Sequence, residues 1–336
     1  MNHDRMEELV RMFAGLRGQP DTVFLYPHTG IDGDAIGSTL AMLMVLRRAG
    51  ITARFVYDEV IPAKYGFLPG VELIEPFAED LLPRMRAEQT LALALDCSES
   101  SRTGRRQELF DQAPQVAVID HHVSEGESGP LRLIDPTAAA TGELIWELAR
   151  QLERTLNQTL IDHDVAVLLM TAIISDTGRF TFSNTTARTF AIASELMLHQ
   201  VDIRSVVYQL FDLTSPERLN LTGHVYEETR YYLDGRVAVA CVSQELLYST
   251  GADASDLDGL AGHLRNVAGV EVSLLIRELA DGGLRVNIRS GASFNSAAFA
   301  RSLGGGGHAR AAGLQLEPMP MRQAADLLVA KVGEWL

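Results

Sequence analysis

Short, mostly apolar runs alternate with longer amphipathic stretches through the first half of the chain. The runs Thr22–Tyr26, Leu91–Leu95 and Val116–Ile119 are typical of strands that are buried on both faces of a parallel sheet. Stretches with helical periodicity, such as Asp34–Ala49 and Asp164–Ile174, predict helices between or after them. The same pattern adds helices at 5–17, Thr141–Leu152 and Thr186–Leu198 and a strand at Ala53–Tyr57. Strands that alternate with helices indicate an α/β domain with a mainly parallel sheet.

After His199 the pattern changes. Residues 200–228 have helical periodicity, mixed charge and a break at Ser215–Pro216, which is typical of a helical connector rather than a disordered linker. A second α/β unit follows, with predicted strands at Arg236–Val242, Val270–Leu279 and Leu284–Ile288, helices at Asp256–Val267, Ser293–Leu303 and Met321–Trp335, and a loop at Gly304–Gly307. The turn Asp281–Gly283 closes a hairpin, so this second sheet is expected to be mixed.

The length of the chain favours two domains, because 336 residues are too many for one ordinary core. We predict an N-terminal domain over residues 1–195, whose mainly parallel sheet is flanked by helices. A helical connector over residues 196–228 leads to a smaller C-terminal α/β domain over residues 229–336.

Composition narrows the classes of function. Apolar residues make up 46% of the chain and charged residues 22%, which is ordinary for a globular protein. A net charge of -15 argues against a protein that coats duplex DNA, although bound metal ions could still admit a small anion. The two cysteines, Cys97 and Cys241, indicate no disulfide framework, and we interpret Cys97 as a packed apolar residue. The sequence shows no signal-peptide core and no segment of transmembrane length, so we expect a cytoplasmic protein without a membrane partner.

Side chains that can bind metal ions follow the predicted strands and one helix. These residues are His28, Asp32, Asp34, Asp96, His121 and Asp176. The carboxyl ends of strands in open α/β sheets are where active sites form. Carboxylates mixed with imidazoles suit Mn²⁺, Fe²⁺ or Mg²⁺ better than a structural zinc, which usually recruits thiolates. The series therefore predicts a two-metal hydrolase.

Each cluster also has a structural interpretation. Asp32 could form a turn, Asp34 could cap the following helix and His28 could lie on the surface, and for this cluster alone the two interpretations are equally open. The run Asp120–His122 is the sharper signal, because packing does not require an acid and two imidazoles after a strand. One imidazole can bind metal, one can face the substrate, and the acid can orient an imidazole. The acids from Asp58 to Glu79 are interpreted as a solvated face.

The other conspicuous motif is Gly304-Gly305-Gly306-Gly307-His308, with Ala311–Gly313 shortly after it. Four glycines leave backbone N–H groups free to approach an anion or a flat base, and His308 can add a hydrogen bond or a charge. The alternative is a flexible hinge between a helix and a strand. A hinge needs no histidine directly after the glycines, so we favour a ligand-binding loop.

Together these motifs resemble those of the DHH phosphoesterases that carry a C-terminal DHHA1 domain. The matching motifs, in order, are His28-x3-Asp32-x-Asp34, Asp96, Asp120-His121-His122, Asp176-Thr177-Gly178 and Gly304–His308 with Ala311–Gly313. The resemblance covers nearly the whole chain, whose length is most similar to that of the nanoRNase/pAp phosphatase group. It implies hydrolysis of short single-stranded oligoribonucleotides and removal of the 3′-phosphate from 3′-phosphoadenosine 5′-phosphate.

The resemblance also implies roles for individual residues. One divalent ion, typically Mn²⁺ in this family, would be bound by His28, Asp32 and Asp96, and a second by Asp34, Asp96, His121 and Asp176. His122 would contact the scissile phosphate, and Asp120 would support the histidines. The substrate would also be bound in the C-terminal domain by Arg289, Ser290, Gly305, Gly306, Gly307 and His308. A cleft between the two domains would then hold the active site.

Other functions stay open at this point. Some close relatives hydrolyse cyclic di-AMP or the linear dinucleotide derived from it, so a second-messenger phosphodiesterase is the alternative enzyme. A non-catalytic nucleotide sensor is a more distant alternative, because a sensor does not need a complete set of hydrolytic metal ligands. An apolar helix face of the first domain leaves room for a homodimer, although no residue pattern requires one.

Overall fold

The computed structural model describes residues 3–122 and 131–336, which form two compact units over Met1–Leu213 and Thr214–Leu336. The division between the units falls inside the segment that the sequence indicates as a connector. Within the described part of the chain, no helix is long and apolar enough to cross a membrane.

The first unit contains a six-stranded sheet in which every strand pair is parallel, as predicted. Its strands are β1 (Thr22–Tyr26), β2 (Thr52–Tyr57), β3 (Ile74–Pro76), β4 (Gln89–Leu95), β5 (Gln115–Asp120) and β6 (Arg132–Ile134). Their order across the sheet is β3-β2-β1-β4-β5-β6. The predicted strands are β1, β2, β4 and β5, which occupy the middle of the sheet, and the sequence pattern missed the short edge strands β3 and β6.

The helices of the first unit flank this sheet. They are α1 (His3–Leu16), α2 (Gly33–Arg48), α3 (Leu82–Glu88), α4 (Gln107–Asp111), α5 (Thr141–Leu156), α6 (His163–Asp176), α7 (Ala187–Met197) and α8 (Ile203–Val207). Most side chains of α2 and α6 are buried, which explains why both helices are largely apolar. Truncating one of their buried leucines, such as Leu40 or Leu169, to alanine should cost about 2–5 kcal/mol.

A π-helical turn at Tyr208–Asp212 extends α8, and α9 (Pro216–Glu227) begins the second unit. The break between them follows from local chemistry. Ser215 is the N-cap of α9, and its hydroxyl oxygen accepts a hydrogen bond from the backbone N–H of Arg218 at 3.0 Å. Pro216 occupies the first turn, where its missing N–H is not needed. The helical character predicted for 200–228 is therefore confirmed, with the break at the predicted residues.

The second unit contains a mixed six-stranded sheet, as predicted, in the order β11-β12-β10-β9-β8-β7. Its strands are β7 (Arg230–Tyr232), β8 (Val237–Val242), β9 (Val272–Glu278), β10 (Leu284–Ser290), β11 (Gly306–His308) and β12 (Ala311–Leu316). Only the β8–β9 pair is parallel among the pairs of this sheet in the described chain. The remaining helices are α10 (Gln244–Thr250), α11 (Leu260–Arg265), α12 (Ser296–Ser302) and α13 (Met321–Gly333).

Two predicted elements of the second unit differ in the structure. The helix expected over Asp256–Val267 is shorter, because Gly259 has a φ of 85° and separates a 3-10 turn at Ala254–Leu257 from α11. The region predicted as a glycine loop is partly a strand, because β11 pairs with β12 in an antiparallel hairpin. Alternation of side chains cannot indicate a strand that consists largely of glycine.

Candidate functional site

The sheet order of the first unit brings the predicted ligands together. Strands β1, β4 and β5 are neighbours and parallel, so their carboxyl ends lie at one edge of the sheet. The C-terminal end of α6 adds Asp176. Within the described residues, ligand atoms lie within 4.8 Å of one another in the groups His28–Asp32–Asp96, Asp34–His121–Asp176 and Asp96–His121–His122. The structure therefore gathers all six predicted metal ligands into one cluster.

Asp96 connects the members of this cluster. Its Oδ2 atom lies 3.5 Å from Nε2 of His28, and its Oδ1 atom lies 3.6 Å from Nε2 of His121. The residue is 1% exposed and has a φ of 56°, in the left-handed region that is unfavourable for a residue other than glycine. The hydroxyl of Thr141 donates to Oδ1 at 3.0 Å. The surrounding contacts hold a strained backbone in the conformation that turns the two carboxylate oxygens toward different histidines.

Asp34 is fully buried against the beginning of α5. Its carboxylate accepts hydrogen bonds from the backbone N–H groups of Thr141 and Gly142 at 2.7 and 3.0 Å, and from the hydroxyl of Ser38 at 2.8 Å. The free N–H groups and the positive end of the helix dipole favour a carboxylate at this position. One end of α5 therefore orients a candidate ligand that comes from α2.

Asp32 both caps a helix and faces the candidate metal ligands, the two roles that the sequence left open for the first cluster. Its Oδ1 atom caps α2 by accepting from the backbone N–H of Ala35 at 3.0 Å, so the cap is Asp32 rather than Asp34. Its Oδ2 atom remains 3.7 Å from Nε2 of His28. His28 is not on the surface, since it is 5% exposed. One carboxylate oxygen thus serves the helix, and the other faces the cluster.

Backbone carbonyls orient both inner histidines. Nδ1 of His28 lies 2.7 Å from the carbonyl oxygen of Thr29, and Nδ1 of His121 lies 3.3 Å from that of Ala138. With the Nδ1 proton directed to a carbonyl, each ring turns Nε2 toward the carboxylates, which is the usual arrangement of a metal-binding imidazole. Nε2 of His121 is buried and has no hydrogen-bond partner among the described residues.

The electrostatics of the cluster fit divalent cations. In the described chain, the ion pairs of Asp34, Asp96 and Asp176 involve only histidines. Burial and the neighbouring carboxylates raise the pKa of Asp34, and burial raises the pKa of Asp176 to about 6 although His121 opposes this shift. Burial would also raise the pKa of Asp96, but hydrogen bonds from His122 and His28 lower it. Crowded carboxylates around an imidazole nitrogen that makes no hydrogen bond to any described residue form a donor set that Mn²⁺ or a similar ion can neutralise.

The third member of the acid–imidazole–imidazole run has a separate environment. His122 is partly exposed, and both its backbone N–H and its Nδ1 bond to Oδ1 of buried Asp120, at 3.0 and 2.9 Å. Hydrogen bonds to Asp120 and Asp96 outweigh burial and raise the pKa of His122 to about 10. Asp120 therefore orients His122, whereas His121 is oriented by the carbonyl of Ala138.

In the second unit, the predicted substrate residues fall into two kinds. Ser290 is buried, and its hydroxyl donates to the carbonyl of Phe294 at 2.8 Å and accepts from the hydroxyl of Ser296 at 2.8 Å. Its side chain therefore stabilises the loop after β10. Arg289 is half-buried, and burial lowers the pKa of its guanidinium. Arg289 thus lies beside a fixed loop with part of its side chain accessible.

The glycine motif is a hairpin with accessible positions. A Cβ atom at Gly305 would lie 2.3 Å from the carbonyl oxygen of Gly313, and one at Gly307 would lie 2.6 Å from that of Ala311. These two glycines are therefore needed for close pairing with β12. Gly306 has no neighbouring atom within 4 Å of an added Cβ, and both Gly306 and His308 are exposed. The motif is neither the open loop nor the hinge considered from the sequence, although Gly306 and His308 can still be reached by a ligand.

Comparison with known proteins agrees with this arrangement. The chain matches the model of the DHH family N-terminal domain over residues 22–173 and that of the DHHA1 domain over residues 234–336. The bifunctional oligoribonuclease and PAP phosphatase NrnA of Thermus thermophilus is 31% identical over 334 residues, covering 99% of this chain and 96% of that protein. The chain belongs to the DHH/DHHA1 phosphoesterase family. It is thus a hydrolase of the DHH phosphoesterase class.

Of two further relatives of this DHH/DHHA1 protein, one has the same name as the Thermus protein and the other has a different name. The bifunctional oligoribonuclease and PAP phosphatase NrnA of Bacillus subtilis is 28% identical and covers 88% of this chain and 90% of its own length. Cyclic-di-AMP phosphodiesterase PdeA of Listeria monocytogenes is 29% identical over 94% of this chain, which corresponds to 48% of that longer protein.

Solved structures share the fold of this DHH/DHHA1 protein. An exopolyphosphatase-related protein from Bacteroides fragilis has a TM-score of 0.89 at 21% identity, covering 98% of this chain and 96% of that chain. The exonuclease RecJ, in a crystal structure bound to manganese, has a TM-score of 0.58 at 15% identity, covering 97% of this chain and 93% of that chain. These likenesses confirm the predicted α/β fold, and the second shows that a divalent metal is bound in a protein of this fold.

The DHH unit also contains a buried ion pair that sequence reasoning missed. The side chain of Asp58 is 3% exposed and pairs at 2.6 Å with Arg106, which is fully buried, so its interpretation as a solvated residue was wrong. Arg106 also donates to the carbonyl of Pro27 at 3.0 Å and lies 4.7 Å from the ring centroid of Tyr57. Because Pro27 precedes His28, this pair anchors the backbone of a candidate ligand. The available signal was that Asp58 directly follows a strand, as the other clusters do.

Proposed function

We propose that this chain is a metal-dependent phosphoesterase that hydrolyses short oligoribonucleotides to mononucleotides and removes the 3′-phosphate from 3′-phosphoadenosine 5′-phosphate. The observation that carries the proposal is the position of Asp96, whose two carboxylate oxygens face different histidines of one buried cluster. A carboxylate in that position suits a bridge between two cations. The names of the two full-length relatives from Thermus and Bacillus support the choice of substrates.

The donor set fits two divalent ions, for which Mn²⁺ is the best candidate. His28, Asp32 and Asp96 would bind one ion, and Asp34, Asp96, His121 and Asp176 would bind the other. Two bound cations supply an activated water at neutral pH and neutralise the oxygens of the phosphate. Burial of Asp34 and Asp96 excludes bulk water from the inner side of the site and strengthens each electrostatic interaction there.

His122 and Asp120 would act on the substrate rather than on a metal ion. The bond from Nδ1 of His122 to Asp120 fixes the ring and leaves Nε2 directed away from that carboxylate. In the metal-free chain the raised pKa favours the protonated imidazole, which can donate a hydrogen bond to a phosphate oxygen or a proton to the leaving oxygen. Asp120 would hold the ring in place and stabilise its positive charge.

The DHHA1 unit would bind the far end of the substrate. Arg289 offers a positive charge, and the exposed Gly306 and His308 offer backbone and imidazole donors to a terminal phosphate or base. Ser290, Gly305 and Gly307 would contribute by keeping the loop and hairpin in shape. Binding of the substrate at one end and hydrolysis at its other end would favour a mononucleotide bisphosphate or an oligonucleotide of a few residues over a long duplex. The cleft between the domains, a homodimer and a cytoplasmic location remain predictions.

A second candidate is a phosphodiesterase that opens cyclic di-AMP or cleaves the linear dinucleotide derived from it. The similarity to the Listeria cyclic-di-AMP phosphodiesterase over 94% of this chain favours this candidate. The same metal ligands would serve both reactions, because each breaks a phosphoester bond with an activated water. A sensor without catalysis is the least favoured function, since it would not require the strained and buried Asp96.

The proposal is tested by a product time course with three substrates at equal concentrations: a short RNA ladder, 3′-phosphoadenosine 5′-phosphate and cyclic di-AMP. Each substrate is assayed once with Mn²⁺ and once with chelator. We expect chelator-sensitive release of mononucleotides from the shortest RNAs and of phosphate from the bisphosphate. Asp96→Ala should abolish both reactions, and the exposed α4 acid variant Asp111→Asn should not. Preferential opening of cyclic di-AMP would move the protein to second-messenger turnover. Binding without turnover of any of the three would favour the sensor.

A further inference from the structure

One segment of the DHH unit contacts several candidate ligands at once. The backbone N–H groups at the end of segment 135–142 bind Asp34, and the carbonyl of Ala138 within it accepts from His121. A third contact joins the segment to Asp176 through the side chain of Asn184, a residue that has no role in the proposed function. The segment therefore braces two members of the Asp34–His121–Asp176 group directly and the third through one amide.

Asn184 links the two backbones that border this group. Its Nδ2 atom donates to the carbonyl of Ala139 at 3.0 Å and to the carbonyl of Asp176 at 3.1 Å. The reversed amide would place Oδ1 against two carbonyl oxygens, so repulsion fixes the orientation of the side chain. Oδ1 is buried and has no hydrogen-bond partner among the described residues. An acceptor left unpaired in this way costs free energy, which indicates that the two donated bonds determine the position of the residue.

The backbone after α6 brings Asn184 to this position. Gly178, Arg179 and Phe180 have φ values of 52°, 63° and 63°, so the chain passes through three left-handed residues in succession. The hydroxyl of Thr177 accepts from the backbone N–H of Phe180 at 3.1 Å and stabilises the reversal. Left-handed conformations are unfavourable for arginine and phenylalanine, and such strain is retained where the surrounding structure needs it. The reversal returns the chain to the carbonyl of Asp176.

We propose that Asn184 is a positioning residue for the candidate metal centre, which fixes the distance between Asp176 and the segment that orients His121. Nε2 of His121 lies 3.3 Å from Oδ2 of Asp176. The ring of His121 is oriented by the carbonyl of Ala138, whose neighbour Ala139 accepts a hydrogen bond from Asn184. The backbone carbonyl of Asp176 accepts the other hydrogen bond from Asn184. Loss of the amide frees the two backbones from each other. The affinity for the ion shared by Asp34, His121 and Asp176 then falls, while the other ion keeps its ligands. This inference rests on the proposed two-metal function.

Direct titration of the metal-free protein with Mn²⁺, following free ion by electron paramagnetic resonance, measures the effect without substrate. The wild type should bind two ions per chain. Asn184→Ala should bind one of them about 10–100-fold more weakly, the range typical for the loss of a group that orients a metal ligand. Thr186→Ala is the matched control, because Thr186 caps α7 two residues away and its loss loosens the same region without touching Ala139 or Asp176.

Asn184→Asp separates positioning from packing and charge. The carboxylate has nearly the same shape and leaves no cavity, but it cannot donate to two carbonyls, and circular dichroism checks that the variant folds. Its extra negative charge alone would strengthen cation binding, whereas loss of positioning weakens it. Weaker binding of one ion by Asn184→Asp, with binding by Thr186→Ala unchanged, supports the inference. Two ions bound as tightly as by the wild type would overturn it, and a wild type that binds no ion would instead overturn the proposed function beneath it.

Discussion

The innermost candidate residues of the DHH unit and the accessible ones of the DHHA1 unit differ in burial. In the DHH unit, Asp34 and Asp96 are 0% and 1% exposed; Asp34 accepts three hydrogen bonds, and Asp96 accepts one from Thr141 and lies beside three histidines. In the DHHA1 unit, Gly306 and His308 lie exposed on a short strand of a hairpin at the end of the sheet order. Buried charges need precise neighbours, so their replacement should alter chemistry and stability together. Exposed groups on a fixed hairpin can change with little effect on folding, so under the proposed function substrate choice should be easier to alter than the reaction.

The strongest test of this comparison is Asp96→Asn. We expect turnover to fall by about 1,000-fold or more, because the loss of a carboxylate shared by both candidate ions should exceed the roughly 10–100-fold effect of removing a group behind a metal ligand. The measurement is kcat on a short RNA at saturating Mn²⁺, with circular dichroism to confirm folding. A variant that kept most of its turnover would show that Asp96 is not the centre of the reaction.

The next test concerns the support of the buried cluster. Arg106→Ala should lower the free energy of unfolding by about 3 kcal/mol, because it leaves the buried carboxylate of Asp58 without its partner. The double variant with Asp58→Asn should recover part of this loss, since no uncompensated charge remains. Denaturant unfolding of the metal-free proteins measures both effects. Additive losses in the double variant would mean that the two side chains do not act as a pair.

The glycine hairpin offers a matched pair of smaller changes. Gly305→Ala should destabilise the protein by about 1–3 kcal/mol, because its methyl group would collide with the backbone of β12. Gly306→Ala should leave stability unchanged, since open space surrounds that position, and should raise KM with kcat preserved. Thermal unfolding and steady-state kinetics on one substrate give the two readouts. Equal stability losses in both variants would break the distinction between the packed and the accessible glycine.

The sequence was sufficient for the parts of the fold that depend on local pattern. Strands β1, β4 and β5 are apolar because both their faces are covered, so their sequence alone predicts them. Strands β3 and β6 are three residues long and partly exposed, which is too short for a pattern to form. Strand β11 is mostly glycine and becomes a strand only by pairing with β12.

The same distinction applies to the site. The residue types at the strand ends were visible, and the order of parallel strands explains why the structure gathers them. The groups that hold them were not visible, because each depends on a contact made by folding. Arg106 reaches a partner 48 positions away in the sequence, and Asn184 reaches a carbonyl 45 positions away. No local pattern distinguishes such a residue from an ordinary arginine on the surface or an asparagine in a turn.

The last test uses pH to compare the two units. Folding raises the pKa of Asp176 from 3.8 to about 6. The resulting stabilisation of the folded state is complete below pH 3.8 and is lost as the pH rises to about 6. Burial lowers the pKa of His28, but hydrogen bonds to Asp32 and Asp96 outweigh this effect and raise it from 6.5 to about 10. The stabilisation from His28 therefore also declines as the pH rises above 6.5. The lowered pKa of Asp96 stabilises the fold throughout the range above 3.8 and does not oppose this trend.

The metal-free protein should therefore lose stability between about pH 5 and about pH 7.5. At about pH 7.5, Mn²⁺ competes with fewer protons for its ligands. We expect Mn²⁺ to raise Tm by about 5 °C more at the higher pH than at the lower one. His308→Ala should show the same difference as the wild type, because His308 is not one of the candidate metal ligands, and Asp96→Asn should lose most of it. A pH-independent increase in Tm would mean that Mn²⁺ binds elsewhere, and that the buried carboxylates of the DHH unit are not the groups it neutralises.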